Sequence, residues 1–220
     1  MRNITLLCSV HHENGLCNVG ELLKILRAIE PEVVFEEMLP SHFGFYYKHR
    51  TISTLESQAL TTYREFKSFQ QVPVDRYEIA PDVLAEIKKG FEGVCARVEQ
   101  ISQEYRELDK EKNNRVYQLG FKYLNSVAYS TLMARIFEIE DQTITQMGDH
   151  NFVRALEMWR HALQERERAM IRNIYDFSRD NAFDAGIFLV GAAHKMGIIR
   201  EIEKHARMEA GLISWRFAYE

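Results

Sequence analysis

The chain has 220 residues, of which 46% are hydrophobic and 27% are charged, and its formal net charge is −4 at pH 7. This composition is typical of a soluble globular protein, and the length suits one large domain or a domain with an insertion. The slight acidity gives no electrostatic basis for binding a nucleic-acid backbone, and no apolar stretch is long enough to span a bilayer.

Cysteine usage and the first residues bear on cellular location. Cys8, Cys17 and Cys95 match no zinc-binding spacing and, being three, cannot all pair with one another. Arg2-Asn3, before the first apolar run, is not the n-region of a signal peptide. We therefore expect a protein of the reduced cytoplasm with no nucleic-acid or membrane partner. Its partner is expected to be a small-molecule or peptide substrate, and the sequence leaves homo-oligomer formation open.

The first third of the chain predicts alternating strands and helices. Residues 4–10 form an apolar, β-prone run, and Asn18 is placed to cap a helix that stops at Glu30-Pro31. Residues 33–35 predict a second buried strand, which completes a βαβ unit. An aromatic loop over 40–50, interpreted as a substrate lid or as packing against the sheet, precedes a helix from Thr54 to about Phe69. A short third strand is predicted over 72–76, with Pro73 near its start.

Residues 81–180 have a helical pattern throughout. Apolar residues recur every three or four positions, which predicts three long helices that end near residues 108, 148 and 177. A polar turn over 109–115, containing Asn113-Asn114, is expected to separate the first two. We interpret this segment as a helical insert between strands three and four.

The last part of the chain predicts a return to the sheet. Residues 187–190 form a buried strand, a helix follows over 196–208 with Gly211 at its C-terminal end, and residues 213–219 alternate as a half-buried edge strand. The predicted fold is α/β: one domain over 1–220, three-layered, with a mostly parallel sheet and the helical insert 81–180.

Two histidines follow strands at opposite ends of the chain. His11 comes after the first strand and His194 after the fourth, and each is preceded by small residues that allow close approach of a ligand. In open parallel sheets, ligands bind beyond the carboxyl ends of the strands. We therefore predict that both histidines belong to one site, which requires the N-terminal and C-terminal strands to meet.

Carboxylates complete the predicted site. Glu36 and Glu37 end the second strand, and because successive strand residues point to opposite faces, both cannot address the site in the same way. Glu13 is a further carboxylate candidate. Two histidines and a carboxylate suit a divalent metal with open positions, or metal-free acid–base chemistry.

Charged residues interrupt the apolar stripe of the last long helix of the insert. The stripe includes Leu163 and Met170, and the position between them falls on Arg166 or Glu167. A charge there must be paired or face a polar cavity. The two interpretations are an ion pair with a neighbouring helix, or an Arg166 that reaches the site and holds an anionic group. Asp75-Arg76, at the end of the third strand, is a similar case.

Five motifs occur in a fixed order along nearly the whole chain. They are Cys8-Ser-Val-His11, Pro31-Glu-Val-Val-Phe-Glu36-Glu37, Asp75-Arg76, Arg166-Glu167-Arg-Ala-Met170 and Gly191-Ala-Ala-His194-Lys-Met-Gly197. This order resembles the TraB/PrgY family, the fold group that includes the TIKI metalloproteases, and is more distantly similar to the erythromycin esterase and ChaN-like proteins. The resemblance implies a metal-dependent hydrolase with its site on the histidines, one strand-two glutamate, and Arg166 with Glu167.

We accordingly predict a hydrolase of an ester, amide or peptide bond that depends on a divalent metal ion: Mn, Co or Zn. The metal would polarise the scissile group and lower the pKa of bound water. Its predicted ligands are His11, His194 and one or both of Glu36 and Glu37.

The remaining predicted site residues have catalytic roles. Glu13 or Glu167 is expected to be the general base, and Arg166 is expected to stabilise developing negative charge. The alternative function is a non-catalytic module that binds a small molecule or peptide on the same fold. Cys8 motivates this alternative, because it stands where the resembling family usually has glycine.

Overall fold

A parallel sheet brings the two ends of the chain together. The computed structural model describes residues 1–76 and 80–218. Within them, the strands are β1 (Arg2–Ser9), β2 (Val33–Glu36), β3 (Gln70–Pro73), β4 (Ala185–Gly191) and β5 (Ile213–Phe217). Their order is β3-β2-β4-β1-β5, and every neighbouring pair runs parallel. The α/β class and the parallel sheet are therefore confirmed.

The pairing of β1 with β4 decides where the histidines lie. Cys8 is in register with Val190, and Ser9 with Gly191, so both strands end at the same level. The two strands are apolar over most of their length and largely buried, as expected for strands covered on both faces. The predicted contact between the N-terminal and C-terminal strands is confirmed.

The outer strands agree with the sequence pattern in part. β3 lies at Gln70–Pro73 rather than over 72–76, and Pro73, which has no N–H to donate, ends the strand instead of standing near its start. β5 lies at the edge of the sheet next to β1, and its residues range from the buried Ile213 to the exposed Arg216. The edge strand predicted over 213–219 is confirmed as far as Phe217, whereas Tyr219 lies outside the described residues.

Helices make up most of the remaining chain. The α-helices are α1 (Val19–Ile29), α2 (Leu55–Tyr63), α3 (Pro81–Ile101), α4 (Gln103–Leu119), α5 (Phe121–Leu124), α6 (Val127–Met147), α7 (His150–Asp180) and α8 (Lys195–Met208). The predicted aromatic loop contains a 3₁₀ turn, Pro40–His42, and a π-helical turn, Gly44–Lys48, and a further 3₁₀ turn, Ala192–His194, carries His194. Asn18 caps α1 as predicted, because its side chain accepts the N–H of Glu21 at 3.0 Å. Within the described parts of the chain, every helix is too short or too polar to cross a membrane.

The segment from 81 to 180 contains five helices rather than the predicted three. The expected turn over 109–115 was wrong, because these residues continue α4 with side-chain pairs such as Lys112–Asp109 on its surface. The chain turns instead at Ser102, whose hydroxyl caps α4 by accepting the N–H of Tyr105 at 3.1 Å. Gly120 ends α4 with a φ of +55°.

Helix α2 is also shorter than predicted. It ends at Tyr63, and the chain then turns through 64–66. Phe69 thereby packs back onto Tyr63, with ring centroids 5.5 Å apart. Aromatic packing after the turn, rather than continued helix, accounts for the apolar residues that had extended the prediction.

Two apolar clusters form the core. One surrounds the sheet, and the other lies within α3, α4, α6 and α7. Asn125, between α5 and α6, joins the helical segment to the sheet: its amide accepts the Cys8 N–H at 2.8 Å and donates to the Cys8 carbonyl at 3.0 Å. This anchor lies three residues before His11, so it fixes the end of β1.

Candidate functional site

A cavity of about 350 Å³ opens at the carboxyl ends of β1, β2 and β4. Charged and polar side chains from five different parts of the chain line it, and we call it the sheet-edge cavity. They include His11, Glu37, Tyr46, Glu56 and Arg166. The cavity lies at the edge of the sheet where parallel strands place ligands.

The loop that carries His11 is held from two sides. The Leu16 N–H donates to the Tyr117 carbonyl at 2.9 Å, which docks the loop on the end of α4. Gly15 has a φ of +58°, and a Cβ there would lie 2.0 Å from the same carbonyl oxygen, so only glycine fits. On the other side, the Leu55 N–H donates to the His11 carbonyl at 3.0 Å, which ties the start of α2 to His11.

His11 forms a pair with Glu56 of α2. The imidazole Nδ1 lies 3.4 Å from Glu56 Oε1, and the buried Ser9 hydroxyl donates to the same oxygen. The carboxylate partner raises the pKa of His11 above its ordinary value, although burial opposes it. The other ring nitrogen, Nε2, lies over Gly191, within 3.3 Å of the position a Cβ would take. One nitrogen is therefore oriented by a carboxylate, and the other lies over the end of β4.

His194 occupies the equivalent position after β4 but is buried, with 3% of its surface exposed. Its Nε2 lies 3.2 Å from Glu37 Oε1, and its Nδ1 lies 3.1 Å from Glu167 Oε1. Burial acts to lower the pKa of His194, but the charge of Glu37 and the hydrogen bonds to both carboxylates raise it to about 9. The imidazole is therefore a buried cation at neutral pH.

Glu37 is the centre of the charged network. One carboxylate oxygen accepts the Gly191 N–H at 2.6 Å, and the other accepts Arg166 Nη2 at 2.6 Å and faces His194. Burial alone would raise the pKa of Glu37, but His194 and Arg166 outweigh it and hold that pKa far below the ordinary range. Glu37 is therefore ionised and fully paired.

Arg166 joins the end of β3 to this network. Its guanidinium donates to Asp75, with Nη2 at 2.8 Å from Oδ2, as well as to Glu37. Asp75 is 2% exposed, and the Arg166 side chain is 14% exposed and lines the cavity. Arg166 thus forms the ion pair of one sequence interpretation, with partners from the sheet edge rather than from a helix. It also reaches the cavity, as the other interpretation expected.

Glu167 approaches the backbone of α8 very closely. A Cβ built on Gly197 would lie 1.7 Å from Glu167 Oε2, so a side chain at this position would collide with the carboxylate. Gly197 therefore allows the carboxylate to sit between α7 and α8, where it holds the Nδ1 side of His194. Glu167 lies behind the imidazole rather than in the sheet-edge cavity.

Glu36 and Glu37 have separate surroundings, as strand alternation predicts. Glu36 borders the sheet-edge cavity, but its carboxylate accepts hydrogen bonds from the Tyr47 hydroxyl and from Gln71 Nε2, the latter at 2.8 Å. Burial raises the pKa of Glu36 to about 7 against both hydrogen bonds. Glu37, not Glu36, is the glutamate that joins the histidines.

Glu13 lies apart from the cavity. Its carboxylate accepts the Val19 N–H at 2.9 Å in the first turn of α1, and its side chain is exposed. This contact satisfies a backbone donor at a helix N-terminus. The structure thus brings together His11, Glu37 and Arg166 at the cavity and His194 with Glu167 behind it, but not Glu13.

Glu56 is the main residue that sequence reasoning missed. It lies on the buried face of α2 with Ala59, Leu60 and Tyr63, at helical spacing. A charge on an apolar stripe was the signal that identified Arg166, and the same test applied to α2 identifies Glu56. α2 has only nine residues, so its apolar stripe is a weaker signal than the stripe of the 31-residue α7.

The predicted metal ligands do not assemble into a ready site. Within the described residues, no three His, Cys, Asp or Glu side chains are arranged to hold a metal ion. Both nitrogens of His194 are committed to carboxylates, and Glu37 is already paired with His194, Arg166 and a backbone N–H. His11 Nε2 and Glu37 Oε2 both approach Gly191, but two donors are fewer than metal sites use.

Comparisons with known proteins identify no similar protein. No protein-family model, no curated protein and no solved structure matches the chain. The chemistry of the site itself is therefore the basis for inferring function.

Proposed function

We propose that the protein hydrolyses an ester, amide or peptide bond, with His11 as the general base that activates water. The observation that carries this proposal is the His11–Glu56 pair: a carboxylate orients Nδ1, while Nε2 lies over the end of β4 at the cavity. A histidine oriented through one nitrogen and reactive through the other is the usual arrangement of a general base.

The proposed reaction uses one water molecule. His11 Nε2 accepts a proton from the water as its oxygen bonds to the carbonyl carbon of the substrate. Negative charge develops on the carbonyl oxygen, and the positive Arg166 at the cavity wall stabilises it. The carbon–heteroatom bond then breaks, and the His11 imidazolium returns the proton to the leaving alcohol or amine.

The charged network behind the cavity has a positioning role in this proposal. Glu37 holds Arg166 at the wall and binds the Gly191 N–H, which fixes the backbone beneath His11. His194 holds Glu37 in turn and is itself held by Glu167. Preorganised charges of this kind need no rearrangement during reaction.

The cavity limits the substrate to a small molecule or to a short part of a peptide. Its volume of about 350 Å³ is near the lower end for ligand sites. Tyr46, from the aromatic loop, forms part of the wall. This supports the interpretation of the loop as a lid over substrate.

A divalent metal would have to be bound after rearrangement, because His194 and Glu37 are already committed to each other. The proposed reaction therefore uses the His11 imidazole, and not an Mn, Co or Zn ion, to activate water. The non-catalytic alternative is favoured by one observation: the Asp75–Arg166–Glu37–His194–Glu167 network is complete without a ligand. Such a network can rigidify a binding pocket as well as a catalytic one.

The test is turnover of a panel of chromogenic esters and aminoacyl amides by the wild type and by His11→Gln. We expect His11→Gln to lose at least about 100-fold in kcat/KM, the usual contribution of a general base. His161→Gln is the matched control, because His161 is an exposed histidine on α7, and it should keep full activity.

Two further measurements distinguish the metal-free hydrolase from a metal-dependent one and from a non-catalytic binding module. Dialysis against a chelator should leave activity intact; loss of activity that Zn, Co or Mn ions restore would replace the metal-free route with the metal-dependent one. A wild type that binds panel compounds without turning any of them over would favour the binding module.

We also propose that the sheet is the middle of three layers and that residues 81–180 are an insert within one domain. The support is that α1 contacts α2, that α7 contacts α8, and that the helical segment has an apolar cluster of its own.

A further inference from the structure

A second cavity, of about 270 Å³, lies among α3, α6, α7 and the start of α8. It shares no lining residue with the sheet-edge cavity. We call it the helical cavity, and its characteristic residues are Phe91, Phe137, Glu140, Trp159 and Arg160. Glu167 of the positioning network also lines it, but no step of the hydrolytic mechanism proposed above takes place in this cavity.

Aromatic side chains form one wall. Phe91 of α3 and Trp159 of α7 are stacked, with ring centroids 4.9 Å apart and planes 11° apart, and Phe137 of α6 adds a third ring. Phe91, Trp159 and Phe137 are only partly buried, so their remaining surface is available to a ligand. Such a wall favours a flat apolar group or a cation, which aromatic faces attract.

A buried carboxylate stands beside this wall. Glu140 is 3% exposed, and its Oε2 has no hydrogen-bond partner among the described residues. Arg160 forms an ion pair with Glu140, but its Nη2 lies 3.7 Å from that oxygen, which is too far for a hydrogen bond. Arg160 instead donates to Asp141 and, at 3.3 Å, to the Phe137 carbonyl. A buried acceptor without a hydrogen bond is costly in free energy, and none of the described residues donates one to Glu140 Oε2.

We propose that the helical cavity binds a small arylalkylamine in its protonated form. The ammonium group would donate the hydrogen bond that Glu140 Oε2 lacks and would add to the charge compensation that Arg160 provides from 3.7 Å, while the ring would lie along Phe91 and Trp159. The volume of about 270 Å³ suits a ligand with a single ring. Neither a neutral nor an anionic ligand of the same shape supplies both a donor and a compensating charge.

Charge is the feature that the experiment must separate, because Arg160 and Arg200 also line the cavity. Isothermal titration of the wild type with 2-phenylethylamine, 2-phenylethanol and 3-phenylpropanoate compares cation, neutral molecule and anion of similar size. We expect the amine to bind at least about tenfold more tightly than the other two. Equal binding of the alcohol, tighter binding of the acid, or no binding of the amine up to millimolar concentration would overturn the proposal.

Variants then place the ligand. Glu140→Gln keeps the shape but removes the charge, and it should weaken amine binding at least about tenfold, whereas Glu138→Gln, on the exposed side of α6, should not. Thermal unfolding checks that both variants fold. Trp159→Leu provides an independent test of the aromatic wall and should also weaken binding. Unchanged amine affinity in folded Glu140→Gln, or in Trp159→Leu, would show that the amine binds elsewhere.

Discussion

The ends of β1 and β4 carry the same residue type in very different surroundings. His11 is held by one carboxylate, and its side chain is 51% exposed. His194 is held by two carboxylates and is 3% exposed. The strands are neighbours in register, so the contrast comes from the elements that pack over each end and not from the sheet.

The difference indicates separate roles for the residues at the ends of two neighbouring strands. At the end of β4, helix α7 supplies Glu167, which contacts His194, and Arg166, which pairs with Glu37 on the other side of the imidazole. His194 is buried between Glu37 and Glu167 as a cation. At the end of β1, helix α2 supplies Glu56, which pairs with Nδ1 of His11; Nε2 has no hydrogen-bond partner among the residues that the structure describes. The buried histidine suits a positioning role, whereas the exposed one suits proton transfer.

The largest effect is expected from removing the arginine that holds the β4 side together. Arg166→Met leaves two buried carboxylates, Glu37 and Asp75, without their shared cation, and we expect the free energy of unfolding to fall by roughly 3–5 kcal/mol. Urea unfolding measures this directly. Arg172→Met, an exposed position on the same helix, should change stability little. If Arg166→Met unfolds like the wild type but loses activity, the network is not structural, and Arg166 acts mainly on the substrate.

The second prediction concerns the charge of His194. Its pKa is raised from an ordinary 6.5 to about 9. Between these two pH values the folded protein keeps the His194 proton, whereas the unfolded chain has released it, so protonation favours the folded state. This contribution is complete below pH 6.5 and disappears as the pH rises through about 9, a loss on the order of 3 kcal/mol. Urea unfolding between pH 7 and 9.5 should show the decline.

His194→Gln is the comparison for that experiment, because it cannot gain the proton. Its stability should be lower than that of the wild type at pH 7, and the gap should narrow toward pH 9.5. A constant gap would mean that His194 is neutral in the folded protein and that the two histidines differ less than their surroundings indicate.

The third prediction sharpens the β1 side. Glu56→Gln removes the negative partner of His11, so the pKa of His11 should fall toward its ordinary value. An NMR titration of the His11 imidazole measures this without a substrate. Glu65→Gln, an exposed glutamate just after α2, is the control and should leave the titration unchanged. An unaltered His11 titration in Glu56→Gln would show that Glu56 does not raise the pKa of the proposed general base.

The sequence was sufficient for the parts of this comparison that depend on strands. Apolar runs before His11 and His194 predicted buried parallel strands, and their shared edge followed from the rule that ligands lie beyond the carboxyl ends. The stripe on α7 also identified Arg166 and Glu167 as charges with an inward direction. These features are local patterns, and local patterns are visible in a sequence.

Partner choice was not visible in the same way. That Glu37 rather than Glu36 meets the histidines depends on which face of β2 is turned toward α7. That Glu56 meets His11 depends on the start of α2 being tied to the His11 carbonyl. The helical segment was divided wrongly because polarity was interpreted as a turn, whereas α4 continues through Asn113-Asn114. Tertiary packing decides each of these points.

The smallest effect is expected at Glu13, which the sequence had proposed as a base. Its carboxylate accepts the Val19 N–H at the N-terminus of α1 and does not line the sheet-edge cavity. Glu13→Gln keeps an oxygen acceptor but loses the favourable charge at the helix N-terminus, so stability should fall by roughly 0.3–1 kcal/mol. Activity toward any substrate whose turnover depends on His11 should remain that of the wild type. Paired urea unfolding and kcat/KM measurements test both statements. If Glu13→Gln lost nearly as much activity as His11→Gln, Glu13 would belong to the site, and proton transfer would involve a second residue besides His11.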